Sequence, residues 1–211
     1  MSLLDRRFRY SFNHVTLILI LINFVVFYLS RFSRDMTTTF ALNPILCFHK
    51  KMWWQVFTYM FMHGSWKHLL FNMLGLLFFG ISVERGLGSK EFLLFYLLTG
   101  TLSGLMSLAV YLATGNYGVF LVGASGAVYG VLLAFAVLYP RARIFVFYIL
   151  PLPAPLVVIG FAAIELFNEV FGLYNGIAHA THLFGFLAAW AYFVIRMRKN
   201  PWQVWKDAWR F

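Results

Sequence analysis

Six long apolar runs constrain this chain more than any other feature. They span roughly residues 14–30, 66–83, 92–113, 120–139, 144–165 and 177–195. Because a helix that crosses a bilayer needs about 20 apolar residues, the 211 residues accommodate six such helices joined by short loops. The runs are continuous rather than alternating, which argues against strands and against a membrane β-barrel. We therefore predict an all-α, polytopic membrane protein with six transmembrane helices.

The composition excludes an ordinary soluble enzyme. Hydrophobic residues make up 62% of the chain and charged residues 11%, whereas soluble domains are about 25% charged. The formal net charge of +10 would suggest a nucleic-acid partner in a soluble protein. In a membrane protein it is better interpreted as a topology signal, so we expect no nucleic acid. The single cysteine, Cys47, excludes an internal disulfide.

The distribution of Lys and Arg predicts the orientation. With the N-terminus in the cytoplasm, twelve of the seventeen basic residues fall on the cytoplasmic side, in agreement with the positive-inside rule. We therefore expect both termini to be cytoplasmic. The first run follows Arg6, Arg7 and Arg9 as a signal peptide would, but it is longer than a signal core and no cleavage site follows it. We interpret it as a retained anchor.

Two segments outside the runs are amphipathic. The segment 31–65 mixes aromatic residues with charges, which is typical of a membrane interface. The tail 197–211 is basic and contains three Trp, which predicts a short interfacial helix. The chain thus divides into one membrane domain, 1–196, with an interfacial outer loop at about 31–65, and the tail 197–211. Glu84, just after the second run, is interpreted as an interface anchor.

Polar residues inside the runs are informative because each costs free energy unless it is paired. With a rise of 1.5 Å per residue, Ser125 and His182 lie about 20 Å above the cytoplasmic boundary, Asn72 about 16 Å and His68 about 23 Å. Four polar groups from three helices therefore share one level, about 10 Å below the outer surface of a core about 30 Å thick.

These residue types fit acyl transfer. A serine hydroxyl needs a base to take its proton, and histidine is the usual base. His68 and Asn72, four residues apart, share a helix face and could donate to an oxyanion. If the fourth helix begins at Ser125, its backbone N–H has no intrahelical partner and is free to donate as well. Tyr129, four residues further on, could stack on or orient the facing histidine.

Small residues predict that the fourth and sixth helices pack closely. Gly126 and Gly130 are four residues apart, as are Gly185 and Ala189. Such rows let two membrane helices approach closely. Close approach is what a hydrogen bond between Ser125 and a histidine of the sixth helix requires.

Each polar residue also has a plainer explanation. A lone membrane serine usually bonds its own backbone, and His68 with Asn72 could simply join helices. His63 could tie the outer loop to the bundle, and His179 is expected near the outer rim. Glu165 could relay protons, but it lies near the end of its run, where water is available. No acidic or thiolate partner joins the histidines in this interpretation, and no zinc signature is present, so no metal is expected.

Three motifs in combination resemble those of one family. His68–Asn72 has the form H-x-x-x-N, with His63 upstream; Gly123–Gly126 reads G-x-S-G, with Tyr129 after it; and His182–Gly185 has the form H-x-x-G. Together they resemble the rhomboid intramembrane serine proteases of the bacterial six-helix type. The resemblance covers nearly the whole chain, most clearly from about 50 to 195, and implies a rhomboid-like bundle.

The resemblance also implies roles for these residues. Ser125 would be the nucleophile and His182 the general base, in a dyad without a third acid. The oxyanion hole would comprise His68, Asn72 and the backbone N–H of Ser125, together with the region of Gly123 and Ala124. Tyr129, His63, Gly126 and Gly185 would have supporting roles. No cofactor or metal is implied.

The family cleaves transmembrane proteins near the outer ends of their helices, with substrate entering from the lipid beside the fifth helix. The resemblance therefore implies membrane-protein substrates, a lipid environment and a bacterial inner membrane. Two other functions stay open. One is a catalytically idle rhomboid-like protein that binds membrane clients, and the other is a small transporter or channel that uses the buried histidines.

Three positions depart from the family pattern. Gln55 replaces the arginine that follows Trp54 in the family, which predicts the loss of an interaction that stabilises the outer loop. Thr181 replaces an alanine, and Ala189 replaces the last glycine of the sixth helix, both of which affect fine packing. His179 is a rival base, but only His182 has a glycine three residues later.

Overall fold

The computed structural model describes residues 8–33, 35–146, 149–172 and 178–210, and it is predominantly helical. The predicted positions Arg6, Arg7 and 177 lie outside these residues. The helices are α1 Val15–Ser30, α2 Asp35–Phe40, α3 Pro44–His49, α4 Gln55–Thr58, α5 Trp66–Gly75, α6 Ile81–Leu87, α7 Ser89–Ala113, α8 Ser125–Leu138, α9 Ala154–Val170, α10 His179–Ile195 and α11 Pro201–Ala208. A π-helical segment, Leu76–Gly80, joins α5 to α6, and a 3₁₀ turn, Tyr59–Phe61, follows α4.

Two helical stretches of the described residues are long and apolar enough to cross a membrane. They are Trp66–Leu87 and Ser89–Ala113, and three shorter apolar helices are Val15–Ser30, Ser125–Leu138 and His179–Ile195. Large apolar side chains are widely exposed on their outer surfaces, for example Phe71 and Leu21. The all-α class is therefore confirmed in outline.

The fifth run differs from its prediction. Residues Arg143–Val146 and Leu150–Pro153 form an antiparallel hairpin, β1 and β2, with Arg143 opposite Pro153. A continuous helix from 144 and the absence of strands were therefore wrong predictions. Pro151 and Pro153 explain the difference, because proline lacks an N–H and disfavours helix in the residue before it. Pro155 lies in the first turn of α9, where a missing N–H is tolerated. The helix α9 begins only at Ala154.

The helix α8 lies at the centre of the bundle, between α7, α9 and α10. A Cβ atom added to Gly185 would lie 2.1 Å from the carbonyl oxygen of Gly126, and one added to Gly126 would lie 2.8 Å from Cβ of Ser103. The backbones of α8 and α10 are thus in direct contact, as the small-residue rows predicted. This contact sets the distance between the first turns of the two helices.

We name the two ends of the bundle by what they carry. The loop face carries the segment 35–65 and the first turns of α8 and α10. A pair of backbone bonds joins Leu42 to Leu121 at 3.0 and 2.9 Å, and the N–H of Gly123 donates to the Tyr59 carbonyl at 3.0 Å. The segment 35–65 is therefore fastened to the chain that leads into α8.

Gln55 stabilises this segment, contrary to the expectation from the family pattern. Its side chain is fully buried; Oε1 accepts from the backbone N–H of Asn43 at 3.1 Å, and Nε2 donates to the Thr38 carbonyl at 2.8 Å. Trp54 adds a bond from Nε1 to the Thr39 carbonyl at 2.9 Å. The predicted loss of a loop-stabilising interaction was wrong, because the amide bonds the neighbouring backbone from inside the loop.

The opposite face carries the start of α1, the end of α6, the hairpin and α11. Here Glu84 is buried with no exposed surface, so its interpretation as an interface anchor was wrong. Its carboxylate accepts hydrogen bonds from the backbone N–H groups of Val15 and Thr16 at 2.7 and 2.9 Å. It thereby satisfies the unpaired donors at the start of α1 and complements the positive end of the helix dipole.

The tail forms the predicted short helix and packs on the bundle. Trp205 of α11 is buried, and its indole N–H donates to the Ala136 carbonyl of α8 at 3.0 Å. The Trp205 ring also meets Trp190 of α10 edge-on, with ring centroids 5.7 Å apart. The tail is thus anchored to two helices of the core.

Candidate active site

Ser125 is the first residue of α8, so the condition set for its backbone donor is met. The first N–H groups of a helix lack intrahelical acceptors, and that of Ser125 is among them. The chain reaches this position through Gly123, whose φ of 121° lies in the region that only glycine adopts readily. Ser125 itself is half-buried, which leaves the start of α8 accessible.

His68 and Asn72 of α5 converge on Gly123. A Cβ atom at this glycine would lie 2.6 Å from Nε2 of His68 and 3.7 Å from Nδ2 of Asn72. The two side chains therefore occupy the space beside the peptide that precedes Ser125. Nδ2 of Asn72 is buried without a hydrogen-bond partner among the described residues. The structure thus brings together the donor groups that the sequence picked out.

His182 lies in the first turn of α10 and is 8% exposed. Its ring stacks on Tyr129 of α8, with centroids 4.3 Å apart and planes 10° from parallel. This is the contact that the spacing of Ser125 and Tyr129 suggested, and it fixes the plane of the imidazole. The contact between Gly126 and Gly185 places this ring beside the first turn of α8.

No hydrogen bond joins Ser125 Oγ to His182 among the bonds of the described residues. Catalytic hydrogen bonds are often long in an unliganded site and tighten when substrate binds. Ser125 and His182 lie in the first turns of α8 and α10, and the backbones of these helices touch one turn further along α10, at Gly126 and Gly185. Their partnership therefore stays a proposal, taken up below.

Glu165 of α9 contacts two histidines of this site, whereas the sequence analysis considered it as a proton relay but placed it near water. It is 5% exposed, and its Oε2 lies 2.5 Å from Nδ1 of His179 while Oε1 lies 3.0 Å from Nδ1 of His182. Oε1 also accepts a hydrogen bond from the hydroxyl of Tyr129. The expectation of a water-exposed Glu165 was wrong, as was the statement that the histidines lack an acidic partner.

His179 is the first residue of α10, at the loop face. It is buried, and it shares the carboxylate of Glu165 with His182. The ligand-type atoms of these three residues lie within 4.8 Å of one another, a spacing that could hold a metal ion. Their mutual contacts are those of a carboxylate with two imidazoles, so the cluster is equally well suited to holding protons.

A signal in the sequence could have revealed Glu165. A carboxylate inside an apolar run is expensive unless it is paired, and α9 continues to Val170, well past the end assigned to the run. With the helix end placed correctly, Glu165 falls inside the span. Histidines at the start of the next helix are then its obvious partners.

His63 supports the site from the segment before α5. It is 5% exposed, and its ring meets that of His68 edge-on at 5.1 Å. Burial disfavours the charged form and the neighbouring His68 adds to this effect, so the pKa of His63 is lowered to about 3. His63 is thus a neutral imidazole packed between the loop and His68.

The two departures in α10 fit their surroundings. Thr181 is buried, and its hydroxyl lies 2.7 Å from that of Ser107 in α7, within hydrogen-bond distance. Ala189 is also fully buried, with space for its methyl group. Thr181 thereby adds a polar tie between α7 and α10 without displacing its neighbour His182.

Comparison with known proteins identifies the family of this chain. The model of the rhomboid domain matches residues 50–199, which contain all three motifs. RHOMBOID-like protein 12, mitochondrial, of Arabidopsis thaliana is 34% identical over 157 residues, which are 66% of this chain and 45% of that protein. RHOMBOID-like protein 1 of the same plant is 36% identical over 92 residues, 44% of this chain and 22% of that protein.

A human relative is similar as well. Presenilin-associated rhomboid-like protein, mitochondrial, of Homo sapiens is 35% identical over 133 residues, which are 60% of this chain and 33% of that protein. The chain spans less than half the length of each of these relatives. Because the family model covers most of the chain and includes every candidate site residue named above, this chain belongs to the rhomboid family, whose members are embedded in membranes.

Proposed function

We propose that this chain is a serine endopeptidase that hydrolyses peptide bonds in or near the transmembrane segments of other membrane proteins. The observation that carries the proposal is the convergence of His68 and Asn72 on the Gly123 peptide at the start of α8. Unpaired donors gathered beside a serine at a helix start are what an acyl-transfer site needs. His182, stacked in the adjacent first turn, is the candidate base.

The chemistry follows from these positions. Ser125 Oγ attacks the carbonyl carbon of the substrate while its proton passes to Nε2 of His182. The oxyanion that forms accepts hydrogen bonds from Nδ2 of Asn72, the His68 imidazole and the Ser125 N–H. The C–N bond then breaks, and His182 returns its proton to the leaving amine. Water then attacks the acyl-serine while His182 takes one of its protons; the ester C–O bond breaks, and His182 returns the proton to Oγ of Ser125.

The helices are proposed to cross the membrane six times, as α1, α5–α6, α7, α8, α9 and α10. Both termini would be cytoplasmic and the loop face would lie towards the outer side of a bacterial inner membrane. The exposed apolar side chains would contact lipid, and substrate helices would approach beside α9. The basic distribution of the sequence and the apolar outer surface support this arrangement.

The test is covalent labelling and cleavage with purified protein in detergent or liposomes. A fluorophosphonate should attach to Ser125, and a single-span model substrate should be cut; Ser125→Ala should abolish both. His182→Ala should abolish labelling as well. Ser30→Ala is a matched control, because the Ser30 hydroxyl only bonds its own helix at the Phe27 carbonyl. Labelling that persists in Ser125→Ala would exclude Ser125 as the nucleophile, and binding without cleavage by the wild type would favour an idle client-binding protein.

A further inference from the structure

We infer that Glu165 is a positioning residue for His182, so that the serine centre is a triad with a shared carboxylate rather than a dyad. The inference rests on the proposed function, since it assigns a role in that same reaction. Glu165 does not touch the reacting atoms. It acts through the imidazole, whose Nδ1 lies 3.0 Å from Oε1 of the carboxylate.

The contact selects the tautomer of His182. A carboxylate beside Nδ1 favours the form with a proton on that nitrogen, and the other nitrogen, Nε2, is then an acceptor. An acceptor at Nε2 is the form that can take the proton of Ser125. The angle at Nδ1 falls outside that of a standard hydrogen bond, so a small rotation of the ring or of the carboxylate would complete the bond.

The stack on Tyr129 and the carboxylate restrain different motions of His182. Stacking holds the plane of the imidazole. It still allows the ring to flip about the Cβ–Cγ bond, which restores the same plane but exchanges the positions of nitrogen and carbon atoms. The carboxylate contact breaks this symmetry, because it attracts one nitrogen and not the other. Tyr129 also donates its hydroxyl proton to Oε1 of Glu165, so the same tyrosine orients both partners.

The carboxylate is itself held in place. Oε1 faces Tyr129 and His182, and Oε2 faces His179 at 2.5 Å. A buried carboxylate is tolerable only when such partners replace water. Because its position is fixed, it can stabilise the imidazolium that forms when His182 accepts the proton. The proton on Nδ1 stays on His182 throughout, and Glu165 keeps its charge.

A purely structural tie between α9 and α10 is the competing explanation, and the chain offers a control for it. Glu169, one turn after Glu165 on α9, accepts a hydrogen bond from the backbone N–H of Ala180 at 3.0 Å. Glu169 therefore joins the same two helix ends, and among the described residues it has no hydrogen bond to His182. If Glu165 only joins helices, the two residues should be equivalent.

The experiment compares Glu165→Gln, Glu165→Asp and Glu169→Gln with the wild type in cleavage of the model substrate. We expect Glu165→Gln to lower kcat about 100-fold with little change in KM, short of the roughly 10⁴-fold loss for the buried acid of a Ser-His-Asp triad. The rate of fluorophosphonate labelling should fall in parallel, while Glu165→Asp should restore part of both. Glu169→Gln should keep the kcat of the wild type.

The outcomes separate the inference from the proposed function. A wild type that neither labels nor cleaves would contradict the proposed function itself. A labelled, active wild type whose Glu165→Gln variant keeps its kcat would overturn the inference, as would equal losses in Glu165→Gln and Glu169→Gln that follow thermal stability. Solid-state ¹⁵N NMR of the wild type needs no variant: we expect a proton on Nδ1 of neutral His182, and a proton on Nε2 instead would also overturn it.

Discussion

Two buried carboxylates at opposite faces of the bundle have different kinds of partner. At the opposite face, Glu84 accepts from the backbone N–H groups of Val15 and Thr16 and from the hydroxyls of Thr16 and Ser89. At the loop face, Glu165 contacts two imidazoles and a phenol. Backbone N–H groups and aliphatic hydroxyls keep their protons at neutral pH, so Glu84 holds structure. Imidazole is the side chain that gains and loses a proton near neutral pH, so it is a suitable partner for a carboxylate that takes part in chemistry.

A third buried carboxylate places this difference in context. Glu91 of α7 pairs with Arg196, whose Nη2 lies 2.8 Å from Oε2, and it also bonds the Tyr192 hydroxyl. The pair raises the pKa of Arg196, because the carboxylate favours the charged guanidinium. Since this guanidinium keeps its proton, Glu91 resembles Glu84 in being a fixed tie at the opposite face. Partner type, rather than burial, distinguishes the loop face.

The largest effect is expected from Asn72→Ala, which tests whether the loop face is a catalytic site at all. Removing one oxyanion donor typically lowers kcat about 10²- to 10³-fold, and Nδ2 of Asn72 has no partner to lose among the described residues. We therefore expect a large fall in kcat with little change in the melting temperature. Cleavage assays and thermal unfolding measure the two.

Asn23→Ala is the matched control for this variant. Asn23 is also buried, but it lies in α1 and its side-chain amide bonds the Leu19 carbonyl of its own helix at 2.8 Å. Asn23→Ala should lower the free energy of unfolding and leave kcat unchanged. A similar loss of kcat in both variants would mean that Asn72 acts through the fold and not on the oxyanion.

Glu84→Gln tests the other side of the comparison. The glutamine side chain carries no charge, and its NH₂ group cannot accept hydrogen bonds from the N–H donors of α1. Buried hydrogen bonds to a charged acceptor are therefore lost. Each such bond contributes about 1.5–3 kcal/mol, and we expect the free energy of unfolding to fall by about 3 kcal/mol. Unfolding in denaturing detergent would measure this.

The kcat of folded Glu84→Gln should equal that of the wild type. A variant with normal stability and a large loss of kcat, as expected for Glu165→Gln, would show that partner type does not separate the two carboxylates. The comparison would then need another basis.

Much of the loop face could be predicted from the sequence because it depends on spacing along helices. A helical rise of 1.5 Å per residue predicts one level for four residues, Ser125, His182, His68 and Asn72. A helix start at Ser125 was stated as a condition, and α8 begins there. The stack of Tyr129 on His182 likewise follows from helix geometry. The catalytic roles of these residues stay predictions.

The features that could not be predicted from the sequence depend on contacts between distant segments or on the restrictions that proline places on the backbone. The hairpin lies within an apolar run whose prolines, not its hydropathy, decide its structure. Glu165 was misjudged because the end of α9 was placed too early. Gln55 was misjudged because an amide facing the backbone of residues 38–43 can replace the stabilising role expected of arginine.

The smallest effect concerns His63 and appears only in acid. The pKa of His63 is lowered to about 3 from an ordinary value of 6.5. Below pH 6.5 the unfolded chain therefore binds a proton that the folded protein does not, and stability falls as the pH falls. The loss amounts to about 1.4 kcal/mol at pH 5.5, since one pKa unit corresponds to about 1.4 kcal/mol, and it continues to grow until the folded pKa is reached.

His63→Leu should flatten this dependence between pH 6.5 and 5.5, whereas His49→Leu should not, because His49 is exposed on α3. Melting temperatures of the three proteins across this range measure the difference. An unchanged slope in His63→Leu would show that His63 is charged or solvated in the folded protein. The loop over the candidate site would then be more open than the close packing of His63 against His68 indicates. Water would reach further into the bundle from the loop face.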